Sequence, residues 1–288
     1  MRIERARPLL GTHVAIRAEG LSEHDANRAI DAGFDAVTRV HRLMSFHETD
    51  SDVSRLNRDA FKSAQAVDPL TYKVLACAQD VARASDGCFD ITVAPQLVAF
   101  GLLPEPDRQQ RPDANATWRD IELLDASRVR FYRPLWIDLG GIAKGFAVDC
   151  AIAVLREHGA VQGAVNAGGD LRVFGPAPER VLLQTPFLDD AVAPLLEIAD
   201  AAVASSSGHL ERRTVGGKNA GPHIDGANRE PVPFERFATV VAERCMIADA
   251  LTKIVLARGE NSIDILRLYG ASAHLHNPGH GWWHFGEI

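Results

Sequence analysis

The chain lacks most of what a secreted, membrane-spanning or nucleic-acid-coating protein needs. It has four cysteines in 288 residues, Cys77, Cys88, Cys150 and Cys245, without zinc-type spacing or the density of a disulfide scaffold. They read as small, mostly buried apolar residues. No apolar run approaches the roughly 18 residues that cross a bilayer. Residues 1–8 carry Arg2, Arg5 and Arg7 but no apolar segment of the signal-peptide kind. A chain with no transmembrane segment and a cytoplasmic location is therefore expected. Basic charge is also in deficit, with 31 Lys and Arg against 38 Asp and Glu and a formal net charge of −7. That argues against a broad nucleic-acid surface or an anionic membrane as partner, and a small anion in a local basic pocket fits better.

What is present suits one α+β unit spanning 1–288, with 46% hydrophobic residues, no internal repeat and no clear linker. Thr12, Val14 and Ile16 share one parity and suggest a first strand over 9–18. Ser22 then caps a helix over 23–44, with Ile30, Phe34, Val37, Val40 and Leu43/Met44 on one stripe. Residues 69–85 repeat that pattern until Asp86-Gly87 stops it, and 103–117 read as a proline-rich loop. Strands are expected at 121–124, 129–137, 161–167, 171–174, 181–184, 195–199, 202–205 and 237–242, with a last pair near Ala271 and Trp282. Helices are expected over 142–157 and 245–257, a further segment at 262–269, and irregular chain over 208–228.

Candidate chemistry concentrates in a few segments. DLGGIAKGFAVD, residues 138–149, places a carboxylate, a glycine turn and Lys144 at the mouth of a helix. Unpaired N–H groups and the positive end of the macrodipole suit an anion there, and Gly140 and Gly141 let it approach. The same glycines would serve a plain strand–turn–helix connection. In CMIADALTKIVL, residues 245–256, Asp249, Thr252 and Lys253 share one helical face. The two oxygen side chains with a backbone carbonyl suit magnesium; alternatively Asp249 and Lys253 form an i,i+4 ion pair. Asp90 in DGCFDITV can touch a ligand or cap the Thr92 backbone. His47 lies in a loop before a short helix capped by Asp50 or Ser51, and His223 and Asp225 lie in GPHIDG, as a base with its orienting carboxylate or as turn formers.

The order of these segments, LGTHV, MSFHETDSDVSRLN, SDGCFDITVAP, DLGGIAKGFAVD, VNAGGDLRVFG, AVASSSG, HIDGANREPV and CMIADALTKIVL, resembles the FAD:protein FMN transferases of the ApbE family nearly end to end. The resemblance implies a T-fold-like α+β architecture of mixed sheets with packed helices, FAD as substrate and a magnesium ion. It also implies transfer of FMN from FAD to a threonine or serine hydroxyl of an acceptor flavoprotein, with release of AMP. By position, Leu10 matches a flavin-contacting methionine and His47 an aromatic contact that is usually tyrosine. Cys88, Phe89, Asp90, Asp138 and Lys144 match FAD-contacting segments, and His223 joins them. The Gly141 carbonyl, Asp249 and Thr252 match metal ligands.

Two departures stand out. Lys253 replaces a threonine that commonly ligates the metal, and an ammonium has no lone pair to donate. One residue, Ile224, separates His223 from Asp225 where the family usually has two. The implied chemistry is in-line attack on the FMN-side phosphorus, with magnesium across the diphosphate, Lys144 on an oxygen, and His223 or Asp225 taking the proton. FAD hydrolysis to FMN and AMP, or non-catalytic FAD binding, needs the same residues.

Overall fold

The computed structural model describes residues 1–106, 110–187, 192–209, 212–215 and 217–286. Its main sheet has eight antiparallel strands whose spatial order repeats their order in the chain. They are β1 (Arg2–Leu9), β2 (Thr12–Glu19), β3 (Gln162–Ala167), β4 (Asp170–Phe174), β5 (Ala202–Ser207), β6 (Phe237–Ala242), β7 (Ser272–Asn277) and β8 (Gly281–Phe285). Helices α1 (Glu23–Met44), α2 (Asp52–Asp59), α3 (Pro69–Ala84) and α4 (Ala143–Glu157) lie in the long excursion between β2 and β3. Helix α5 (Cys245–Arg258) joins β6 to β7. The α+β expectation holds.

Period-two alternation sorts the sheet's two faces. Ala202 and Ala204 of β5, with Val240 and Ala242 of β6, face a large core shared with α1, α4 and α5. Val203 and Val241 face the other way, into a smaller cluster with Val173, Leu183, Leu196 and Ile198. There the hairpin of Glu179–Leu182 and Leu195–Ile198 covers the sheet. On α1 the predicted stripe is the buried one, from Ala26 through Ile30, Phe34, Val37 and Val40 to Met44, and Ser22 accepts the Asp25 N–H as its cap.

Three differences from the sequence reading have physical causes. One strand was expected over 9–18, but β1 precedes it and pairs with β2 along its whole length, from Arg2 opposite Glu19 to Leu9 opposite Thr12. As an edge strand with mostly exposed side chains, β1 has no apolar alternation to betray it. The strand expected over 129–137 ends at Phe131. Beyond it, the Asn57 amide takes both backbone groups of Ile137, accepting its N–H at 2.8 Å and donating to its carbonyl at 3.0 Å. The region expected to be irregular contains a short ladder of Arg213–Val215 with Lys218–Ala220. Residues 107–109 of the expected loop, and 210, 211 and 216 of that region, lie outside the described residues.

On β7, His274 is 9% exposed beside His284. Burial first, then His284, pushes its pKa down to about 4. The unfolded chain protonates this imidazole near pH 6.5, whereas the folded one resists until near 4. The stability it contributes is therefore complete above pH 6.5 and is lost on acidification through that window. By linkage the loss reaches up to about 3 kcal/mol. Replacing His274 with Leu is expected to flatten the dependence of the urea midpoint on pH between 7 and 4.

Candidate functional site

Helices α4 and α5 cap one another, and their crossing builds the site. The Asp149 carboxylate of α4 accepts the Cys245 and Met246 N–H groups at 3.0 Å each, at the N-terminus of α5, which has no side-chain cap from its own N-cap residue. The Asp249 carboxylate of α5 accepts the Gly145 N–H at 3.1 Å, in the first turn of α4. Each carboxylate meets orphan donors and the positive end of a macrodipole. Gly145 allows this approach, because a Cβ there would collide with the Cys245 carbonyl. Backbone bonds draw the other motifs in. Asp138 N–H donates to the Ile91 carbonyl at 2.8 Å, and Gly226 N–H to the Cys88 carbonyl at 2.9 Å.

Two carboxylates and two ammoniums form the inner cluster. Lys144 Nζ lies 2.5 Å from Asp170 Oδ2, and Lys253 Nζ is paired with Asp249 Oδ1. Asp170 and Asp249 are wholly buried. Burial works against the Asp249 carboxylate, but Lys253, Lys144 and the Gly145 N–H together hold it below the usual range. At Asp170, burial and then Asp249 push the pKa up to about 7 against the opposing pull of Lys144. Lys144 itself is desolvated, yet Asp170 and Asp249 raise its pKa and keep it charged. Burial, then Lys253, pushes His223 down to about 3, so its imidazole is neutral at pH 7.

A cavity of about 1290 Å³ opens over this cluster. Lys144, Lys253, Ser206 and His223 line its polar part, with Asn166 and the Gly168-Gly169 turn; Leu10, Phe89, Val93, Leu97 and Leu103 supply apolar wall. Of the residues expected from sequence, Leu10, His47, Cys88, Phe89, Asp90, Asp138, Gly141, Lys144 and His223 line this one cavity. Asp249 and Thr252 lie behind Lys253 rather than on the wall, and Asp225 is not part of it. The Asp225 carboxylate accepts the Ala227 N–H at 3.0 Å, within its own turn. Cys88 is an inert thiol whose pKa burial pushes up to about 12.

The backbone at the mouth of α4 is less open than the sequence suggested. Asp138 takes the Gly140 N–H at 3.1 Å, the Leu139 carbonyl takes those of Ile142 and Ala143, and Asp249 takes that of Gly145. The protein's own carboxylates already use much of this helix end. The expected metal ligands are similarly engaged. Asp249 gives one oxygen to Lys253 and the other to Gly145, and Thr252 donates to the Asp249 carbonyl at 2.7 Å while sharing a 2.8 Å bond with Ser206. Among the described residues no group of three or more His, Cys, Asp or Glu side chains is arranged to hold a metal ion. As they stand, these residues do not fit a magnesium ion, because an ammonium already neutralises Asp249.

Residue-by-residue reading of the sequence missed Asp170 and Ser206. Both stood in quoted motifs, VNAGGD and AVASSSG, but their partners lie 26 and 47 residues away. Leu10 carries a separate signal. It sits at φ 56° in the two-residue turn between β1 and β2, a left-handed conformation that a leucine adopts at a cost of about 1 kcal/mol. The strain holds an apolar side chain at the cavity wall. Leu10→Asn is expected to raise stability by about 0.5–1 kcal/mol, since Asn tolerates this region, at the expense of apolar surface on the cavity wall. Thermal unfolding reads the gain.

An antiparallel sheet backed by mutually capping helices places two partly buried ammoniums beneath a large part-apolar cavity, a setting that suits an anionic ligand of cofactor size. The ApbE family model matches residues 10–273, and the chain belongs to that family. The FAD:protein FMN transferase of Vibrio cholerae serotype O1 is 27% identical over 242 residues, covering 78% of this chain and 71% of that protein. That of Haemophilus influenzae is 27% identical over 242 residues, covering 77% and 70%. Among solved structures, the ApbE protein of Thermotoga maritima aligns with a TM-score of 0.87 at 25% identity, over 99% of this chain and 97% of that one. The flavin transferase ApbE of Vibrio cholerae shares the fold at a TM-score of 0.83 and 22% identity, over 99% and 96%.

Proposed function

We propose that the chain, residues 1–288, works as one unit that transfers the FMN half of FAD to a threonine or serine hydroxyl of an acceptor protein and releases AMP. The observation that carries this reading is the single cavity in which two ammoniums, a neutral imidazole and an apolar wall face one another, in a chain of this family. The apolar residues suit an isoalloxazine ring and the ammoniums a diphosphate. In the reaction the acceptor oxygen attacks the FMN-side phosphorus, the bond from that phosphorus to the bridging oxygen breaks, and AMP departs with the oxygen. Lys144, held in place by Asp170, stabilises charge developing on the phosphoryl oxygens.

His223 lines the cavity as a neutral imidazole and is the residue we assign to receive the hydroxyl proton. Burial is the main cause of its lowered pKa and the field of Lys253 the second; a dianionic diphosphate beside Lys144 and Lys253 offsets that second cause, which improves the imidazole as a base when substrate is bound. Asp225, engaged in its own turn, has no part in this assignment. Magnesium, which the family resemblance implies, has no step here either, because Lys253 already neutralises Asp249.

The test mixes purified protein with FAD and a threonine-containing acceptor peptide, with and without magnesium. In-gel flavin fluorescence and nucleotide chromatography are then followed. A fluorescent peptide and equimolar AMP are expected. AMP released at the same rate without peptide would make the protein a hydrolase, and FAD recovered unchanged would make it a binding module.

A further inference from the structure

We propose that Lys253 is this protein's resident cation, so that the diphosphate of a flavin dinucleotide is gripped by two ammoniums, Lys253 and Lys144, and no divalent ion is needed. This rests on the FAD reading above. Lys253 Nζ sits in a cage of three oxygens: Asp249 Oδ1, the Asp249 carbonyl at 3.1 Å and Ser206 Oγ at 3.1 Å. A carboxylate, a carbonyl and a hydroxyl are the donors a hard cation takes, and the three N–H groups of an ammonium match them one for one. The cage is therefore filled by the chain itself.

Charge balance points the same way. Asp170 and Asp249 are each paired with an ammonium, Lys144 and Lys253, so neither carboxylate is left free to draw a dication into the cluster. The lysine also reaches the right surface. It lines the cavity, and a Cβ built on Gly141 would lie 3.4 Å from Lys253 Cε, so the side chain passes directly beneath the glycine turn. Ser206, among the described residues the one uncharged side-chain partner of Nζ, has a second partner in Thr252 and can yield its place to a phosphate oxygen. The N–H groups of Gly140, Ile142, Ala143 and Gly145 are used within the protein, which shifts anion recognition onto side chains.

The experiment titrates the full chain with FAD by flavin fluorescence, once in EDTA and once in excess magnesium. The two dissociation constants are expected to agree within about threefold. Lys253→Met, checked for folding by circular dichroism, is expected to weaken binding in EDTA by about tenfold or more and to regain affinity when magnesium is added. Tightening of the wild type by more than about tenfold on adding magnesium would overturn the inference and leave the FAD reading standing. No FAD binding in either buffer would overturn both. A second measurement does not depend on the variant's folding: the spin-resonance signal of free Mn²⁺ with wild-type protein and FAD should equal that with FAD alone, and a stoichiometric loss of signal would sink the proposal.

Discussion

Asp249→Ala is expected to remove about 3–5 kcal/mol of folding stability, because it leaves a buried ammonium without its counter-ion. Lys253 would keep the Asp249-position carbonyl and Ser206 as partners, both uncharged, in a pocket where its side chain is 14% exposed. The Gly145 N–H would lose its acceptor at the same time, so the first turn of α4 would lose its cap from α5. Lys144 also feels the change, since Asp249 is one of the two carboxylates that keep it charged. Flavin transfer measured on folded protein should fall by about 10²-fold or more, because both ammoniums beneath the cavity lose their fixed positions. Asp249→Asn separates the two effects: it retains an acceptor for Gly145 and part of the stability, but supplies no charge to Lys253. Equilibrium urea unfolding of all three proteins reads the series, and a loss below about 1 kcal/mol for the alanine variant would mean that the pair is far more hydrated than its burial indicates.

How much of this was legible in the sequence depends on the distance between partners. The buried face of α1 was readable because its periodicity is local, as was the Ser22 cap. The glycine turn and the helix after it were readable for the same reason. So was the Asp90 cap: its carboxylate accepts the Thr92 N–H at 2.8 Å, one of the two readings left open. The Asp249–Lys253 ion pair, the alternative that i,i+4 spacing offers, forms as a largely buried pair rather than a surface one. Strand β1 was hidden because an exposed edge strand rich in arginine and glutamate has no alternation to detect.

The reciprocal caps of α4 and α5 were hidden for a different reason. Asp149 reaches Cys245 across 96 residues, and Gly145 reaches Asp249 across 104. Nothing in either segment announces the other, and an acid two turns inside a helix looks like an ordinary solvent-facing residue. The structure gives the final aspartate of DLGGIAKGFAVD this structural duty, with Arg172 at 2.6 Å as its counter-ion. One motif thus carries both the lysine of the site and the carboxylate that fixes the next helix against it. The inner cluster depends on that arrangement, since α5 delivers Asp249 and Lys253 from one face while α4 delivers Lys144.

Asp90→Ala is expected to be as damaging to the fold as the loss of Asp249, about 3–5 kcal/mol, although its chemistry is that of a fastener. Its carboxylate, on a residue 5% exposed, joins three distant stretches of chain. One oxygen accepts the N–H and hydroxyl of Thr92, both at 2.8 Å; the other accepts the Trp118 N–H at 3.3 Å and Arg229 Nη2 at 2.9 Å. Burial raises its pKa above the usual range against the pull of Arg229, so the ionised form is retained at the expense of desolvation. Arg229 sits at φ 62° and donates further to Thr92 Oγ1 and the Ala116 carbonyl. Without the carboxylate, a largely buried guanidinium is left with neutral acceptors alone. Because Phe89 and Cys88 form the adjoining cavity wall, flavin affinity should fall with stability. The double variant Asp90→Ala, Arg229→Met removes the stranded charge as well, and should be less destabilised than the sum of the single variants by about 1–3 kcal/mol. Urea unfolding of the four proteins closes the cycle, and additivity within about 0.5 kcal/mol would show that Asp90 acts through its backbone caps and not through Arg229.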